Sequence, residues 1–143
     1  MSQSNLNIQV HERQGKALIT TREAALFVGR GPDGQELPDT FKAGELILGA
    51  LGACVLGTVR SYAKNHGITG LEDVRAEIHG EEAEAPSRLA RIEVLVELTG
   101  TLSADEELRL QRAAASCKIH NTLAQGVAIQ VSVRRPVAVD PSR

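Results

Sequence analysis

The spacing of apolar residues changes several times along the chain, and each change predicts an element. Leu6, Ile8 and Val10 alternate with Asn7, Gln9 and His11, the period of two expected of a strand. Glu12-Arg13-Gln14-Gly15 predicts a turn, with Gly15 free to take a positive φ. Ala17 to Thr21 resumes as a second strand, hairpinned to the first, and Ala24 to Val28 predicts a third. Gly29 to Asp39 is too rich in glycine and proline for a regular element. The pattern then changes completely. From Gly44 to Gly67 there is almost no polar face before Arg60. A helix apolar all round is buried. The apolar run from Leu46 to Val59 falls short of the roughly 20 residues that span a bilayer, so a central core helix of a soluble protein is predicted. Gly49, Gly52 and Gly57 each cost about 1 kcal/mol against alanine in a helix interior. They predict that another backbone approaches this helix closely, or that two copies of it cross. Asn65-His66-Gly67 supplies the stop.

Alternation returns at Val74, Ala76 and Ile78, and again at Ile92, Val94, Val96 and Leu98, the clearest half-buried strand of the chain. Glu81 to Ser87 between them predicts an acidic loop. Ser103-Ala104-Asp105-Glu106 is a capping-box pattern. The helix it opens is expected from Ala104 to about Ser116, with Leu108 and Ala115 inward and Leu110 or Ala114 as further candidates. A short helix ending at Gly126 comes next, then a last strand with Ile129, Val131 and Val133 on one face. Arg135 to Arg143 is expected to be a loose tail. The order βββ-α-ββ-αα-β predicts one α+β domain over residues 1–143, an antiparallel sheet packed on a long central helix.

Composition narrows the function. With 143 residues, 42% hydrophobic and 24% charged, the chain fits one ordinary globular core. A net charge of −2 gives no electrostatic footprint for nucleic acid. Phe27, Phe41 and Tyr62 are the whole aromatic complement, too few for base stacking. The polar start MSQSNLNIQV has no signal-peptide apolar region, so a cytoplasmic protein with no membrane partner is expected.

Two cysteines in a reducing compartment point to chemistry more than to structure. Cys54 sits mid-helix among apolar residues, where the plain alternative is a small buried hydrophobe. Cys117 lies where a capped helix ends and a short one begins. If those helices pack together, the sulfurs meet as a redox pair. His120 forms Cys-x-x-His with Cys117, but a zinc site needs further ligands that do not cluster in sequence, so no metal or other cofactor is expected.

The residues ELILGALGAC at Glu45 to Cys54, VRSYAK at Val59 to Lys64, PSR at Pro86 to Arg88 and CKIHNTL at Cys117 to Leu123 resemble the osmotically inducible protein C / organic hydroperoxide resistance (OsmC/Ohr) family, in its OsmC-like branch. The resemblance implies an intertwined homodimer with active sites at the subunit interface. It also implies a peroxidase in which Cys54 attacks an organic hydroperoxide and becomes a sulfenic acid, and Cys117 resolves it as a disulfide. A dihydrolipoamide-like dithiol or a thiol protein would reopen the bond. An arginine of the N-terminal hairpin, held by a glutamate before the helix, would activate the thiol. Arg13 matches the arginine best, with Arg22 and Arg30 as alternates. The glutamate is expected ten residues before the cysteine, where this chain has Gly44, and Glu45 is one residue later. On a continuous helix nine residues advance by about 180°, so Glu45 serves its own cysteine only if the chain there is not yet helical; otherwise it is an acidic residue favoured at a helix N-terminus. Lys118 stands where the motif usually has proline, and either lowers the Cys117 pKa or sits in solvent. The second functional reading is a catalytically weak dimer that binds a small ligand or acts as a stress-related scaffold.

Overall fold

The computed structural model describes residues 5–136. The chain begins with a three-stranded antiparallel sheet of β1 (Gln9–Arg13), β2 (Lys16–Thr21) and β3 (Ala24–Gly29), in that order. Arg13 pairs with Lys16, leaving a two-residue loop. Gln14 and Gly15 both have positive φ, 55° and 85°, the turn whose twist matches the two flanking strands. Glu12 fixes the loop by accepting from the Gly15 N–H. The first strand starts later than the alternation predicts: Leu6 and Ile8 precede it and are exposed. A bridge ties this sheet to Phe41, just ahead of the central helix: the Gly29 N–H donates to Phe41 O (2.9 Å) and the Phe41 N–H to Phe27 O (3.1 Å).

Helix α1 (Ala43–Asn65) is the long central element. Its 23 residues are enough, by length and composition alone, to cross a membrane, so the helix exceeds the apolar run read from the sequence. Within the fold it carries the core. It ends where glycine is needed: Gly67 has φ +67°, the Ile68 N–H donates to Ala63 O (2.9 Å) and the His66 N–H to Tyr62 O (3.0 Å). That is the left-handed cap that satisfies the last carbonyls.

A long hairpin, β4 (Leu71–Ala83) and β5 (Arg88–Gly100), forms a second sheet beneath α1. Both strands run well beyond their predicted spans, so the acidic loop shrinks to a turn. Val59 and Ala63 of α1 pack with Ile68, Leu71 and Leu110, while Leu51 and Val55 pack with Cys117 and, from the hairpin, Ile78, Ile92 and Val96. Gly52 permits this seat, since a Cβ there would come within 2.6 Å of the Ile78 Cδ1. Gly49 and Gly57 face open space, so the close approach expected of them is not made inside one chain.

Helix α2 (Ala104–Ala114) opens with the predicted capping box: the Glu106 N–H donates to Ser103 Oγ (3.1 Å) and the Ser103 N–H to Glu106 Oε1 (3.0 Å). Its inner face is Leu110 and Ala113; Leu108 and Ala115 are exposed, against expectation. The two are separated from Leu110 and Ala113 by two positions each, too far around a helix to share their face. Helix α3 (Lys118–Gln125) ends at Gly126 as predicted.

Two features differ from the predicted architecture. Among the described residues the strands make two sheets, not one, because no ladder joins the first three strands to the β4–β5 hairpin, which underlies α1. Ile129, Val131 and Val133 alternate as a strand would, but they are 80%, 81% and 93% exposed and form none, because among the described residues no strand pairs with them to supply a ladder. Of the predicted tail, residues 137–143 lie outside the described part of the chain.

Candidate functional site

The two cysteines meet because α2 stops. Ser116 turns the chain, its N–H and hydroxyl both donating to Ala113 O at 3.1 and 2.8 Å. Cys117 then takes an extended conformation (φ −75°, ψ 158°) and becomes the N-cap of α3. The first-turn N–H groups of a helix have no intrahelical acceptor. Here sulfur supplies acceptors. The His120 N–H donates to Cys117 Sγ at 3.2 Å. Cys54, in the middle of α1, packs into the same cluster as Cys117 and Ile119. The Asn121 N–H returns to the Cys117 carbonyl (3.0 Å) and starts the helical ladder.

This arrangement makes the two sulfurs unequal. Cys54 is half-buried, and its pKa is held below the ordinary thiol value, first by the Ile119 N–H, then by the Cys117 thiol, the Lys118 N–H and the Lys118 charge, against the cost of burial. Cys117 is 1% exposed, and burial pushes its thiol up, helped by the neighbouring Cys54 charge. An apolar setting alone would raise the Cys54 pKa; the helix end reverses it. Lys118 is exposed, as one of the two sequence readings of that residue has it, and it is not among the groups acting on Cys117. Both cysteines are reduced. The arrangement is a pair of free thiols packed in one cluster, the Cys54 thiol the more acidic of the two.

Arg13, at the end of β1, is exposed and is not among the groups acting on Cys54 within one chain. Arg22 lies in the β2–β3 turn, and Arg30 begins the loop after β3, its N–H on Gly15 O (3.1 Å). Glu45 is already helical, and its carboxylate accepts from the Lys42 N–H at 2.8 Å, capping α1. About 180° of helix separates it from Cys54. The Ile119 N–H and the main-chain N–H of Lys118 were not foreseen from sequence. The signal was available, since a cysteine directly before a short helix is an N-cap and the next amides are free.

His120 borders two apolar grooves beside the cysteine pair. One, of 510 Å³, runs between β5 and α2 over Leu51, Val55, Ile92 and Leu110. The other, of 440 Å³, runs along α3 past Ile47, Leu89 and Leu123. Among the described residues no group of three histidine, cysteine or acidic side chains could hold a metal ion.

A family model described as OsmC-like protein matches residues 34–132. No curated protein matches the sequence. Solved structures do. An OsmC-like protein from Mycoplasma pneumoniae is similar with a TM-score of 0.73 at 20% identity, over 88% of this chain and 91% of that one. An organic hydroperoxide resistance protein OsmC from Legionella pneumophila gives a TM-score of 0.65 at 18% identity, over 86% and 91%. An OsmC-like hydroperoxide resistance protein from Jannaschia sp. CCS1 gives 0.51 at 16% identity, over 88% and 89%. At these identities the likeness is one of fold, and it extends over nearly the full length of each chain.

Proposed function

The chain belongs to the OsmC-like protein family, and from that premise we propose that it is a thiol-dependent peroxidase for organic hydroperoxides. The observation that carries this reading is the unequal sulfur pair, with Cys54 favoured as thiolate and Cys117 kept as thiol beside it. The Cys54 thiolate attacks the terminal oxygen of ROOH. The O–O bond breaks, RO⁻ takes a proton from water and leaves as the alcohol, and Cys54 becomes a sulfenic acid. Cys117 then attacks the Cys54 sulfur, and water leaves as the disulfide forms. A dihydrolipoamide-like dithiol or a thiol protein reduces that disulfide and is oxidised in turn. The apolar grooves suit an alkyl R group. In the assay, purified protein consumes cumene hydroperoxide with dithiothreitol, Cys54→Ser abolishes turnover, and Cys117→Ser over-oxidises Cys54. Wild-type rates equal to free dithiothreitol refute the reading.

The same reading makes the active unit a homodimer. The accessible surface of the chain is 11710 Å², against about 7,100 Å² expected of a compact monomer of this mass. Apolar residues are part of that exposed surface: Leu6, Ile8 and Val10 before and in β1, Ile129, Val131 and Val133 after α3. A second copy covers these residues and the open glycines of α1. In that assembly Arg13 and Glu45, which cannot serve the Cys54 of their own chain, are proposed to reach that of the partner. A monomeric mass by light scattering at micromolar concentration overturns this.

The second reading, a small-ligand binding or scaffold protein, is favoured by one feature. Gly44 stands at the position of the expected glutamate, and Glu45 is engaged at the helix cap.

A further inference from the structure

We propose that α3 is a redox-controlled wall of the groove beside the cysteine pair: the reduced Cys117 sulfur latches its first turn, and bonding that sulfur to Cys54 releases the latch. This rests on the peroxidase reading for the disulfide and adds what the disulfide does to the fold.

The reduced latch is a hydrogen bond. As N-cap of α3, Cys117 accepts from the His120 N–H through Sγ at 3.2 Å, and through its carbonyl from the Asn121 N–H at 3.0 Å. The Cys117 side chain is itself sunk in the core beside Leu51 and Val55, so the bond ties a surface helix to a fixed point. Within one chain little else holds that helix. None of its eight residues is buried, and Ile119 alone joins the core cluster. No acidic residue stands in its first turn to meet the helix dipole. On the hairpin side, the 440 Å³ groove lies between Leu123 and Ala124 of α3 and Leu89 and Ile92 of β5.

Forming the disulfide competes for the same sulfur. Cys117 Sγ attacks the sulfenic sulfur of Cys54. The S–S bond replaces the S–OH bond, and the Cys117 proton leaves with the hydroxyl as water. A sulfur turned toward Cys54 on α1 is withdrawn from the His120 N–H on α3, and reduction restores the hydrogen bond. The wall is therefore firm while the Cys54 thiol awaits an alkyl hydroperoxide. It gives way once the disulfide has formed, when the alcohol leaves and a dithiol enters.

The test is hydrogen–deuterium exchange by mass spectrometry on the full-length protein, reduced with a phosphine or oxidised with diamide. Diamide takes two electrons and two protons from the thiols as it becomes a hydrazine, and intact mass confirms the disulfide. Loss of an N-cap of ordinary strength raises local opening about fivefold. The amides of His120 to Ala124 therefore exchange about fivefold faster after oxidation, while those of α2 keep their rate. Reduced Cys117→Ser, which keeps an acceptor at the cap, exchanges as reduced wild type; reduced Cys117→Ala exchanges as the oxidised protein. Equal exchange of α3 in the reduced and disulfide forms overturns the proposal, as does an acceleration shared equally by α2. Diamide that forms no disulfide overturns it together with the resolving role of Cys117. A disulfide with a freed α3, in a protein that consumes no peroxide, supports the latch and retires only the peroxidase.

Discussion

Cys117 has two tasks that substitution can separate: it faces Cys54 with a thiol, and it caps α3. Its Sγ accepts from the His120 N–H at 3.2 Å while the side chain is 1% exposed. Serine keeps an acceptor at the cap and a hydroxyl donor toward Cys54, and serine is among the best N-cap residues. Alanine keeps neither, and it leaves the His120 N–H without its partner. Losing the cap costs about 1 kcal/mol. In the cluster of Leu51, Val55 and Cys117 the serine hydroxyl fills part of the space the sulfur leaves and alanine none, at about 24 cal/mol for each Å³ that the core cannot close. Together they put Cys117→Ala about 1–1.5 kcal/mol below Cys117→Ser, or about 2–6 °C in melting temperature for a chain of this size. In the proposed cycle both variants lack the resolving thiol, so both are expected to leave Cys54 to over-oxidise. Thermal melts of the two proteins under reducing conditions, beside wild type, measure the difference. Cys117→Ala melting with or above Cys117→Ser would show that the sulfur does not cap α3, and would undo the assignment of its first-turn amides.

Two further outcomes are expected. Iodoacetamide labels Cys54 well before Cys117 as pH rises from 6 in the folded protein, because Cys54 is held below the ordinary thiol pKa and Cys117 above it; peptide mass spectrometry that finds Cys117 modified first contradicts the roles given to the sulfurs. Leu110→Ala, which empties a fully buried site against Val59, destabilises the protein by about 2–5 kcal/mol; urea unfolding that gives less than 1 kcal/mol would show that α2 does not contribute to the core as described.

The hairpin of β1 and β2, the central helix, the capping box at Ser103 and the stop at Gly126 were legible because each is set by local chemistry: a φ that glycine tolerates, a side chain that reaches a nearby amide, or an unbroken apolar run. The inner face of α2 was misread because Leu108 and Leu110 are equally apolar, and only the neighbour decides between them. Leu110 meets Val59 and Ala63. The last strand was legible as a pattern and is absent as a structure, since alternation specifies a strand only when an edge is available to pair with it. At the site, the sequence points to both cysteines, but their difference in acidity lies in main-chain amides, which carry no residue identity. Glu45 shows the converse. Its side chain is chemically suited to holding an arginine, but helical periodicity turns it away from the Cys54 of its own chain.

The division of labour between the sulfurs comes from where each lies on its helix. A residue in mid-helix has its own N–H committed to the ladder, so Cys54 cannot stabilise a negative charge from its own turn and must take donors from another element. A residue at an N-cap uses one amide of the helix it starts and leaves the two before it free. Placing Cys117 at the cap of α3 therefore brings those amides to the cluster that holds Cys54, and they lower the Cys54 pKa. This geometry also bears on reduction. A disulfide between the two sulfurs carries no charge for the Lys118 and Ile119 amides to stabilise, so the helix end favours the reduced pair over the oxidised one. Stabilising the reduced form raises the reduction potential. In the proposed peroxidase cycle, the helix end that favours the Cys54 thiolate would also make the disulfide easier for a small dithiol to reopen.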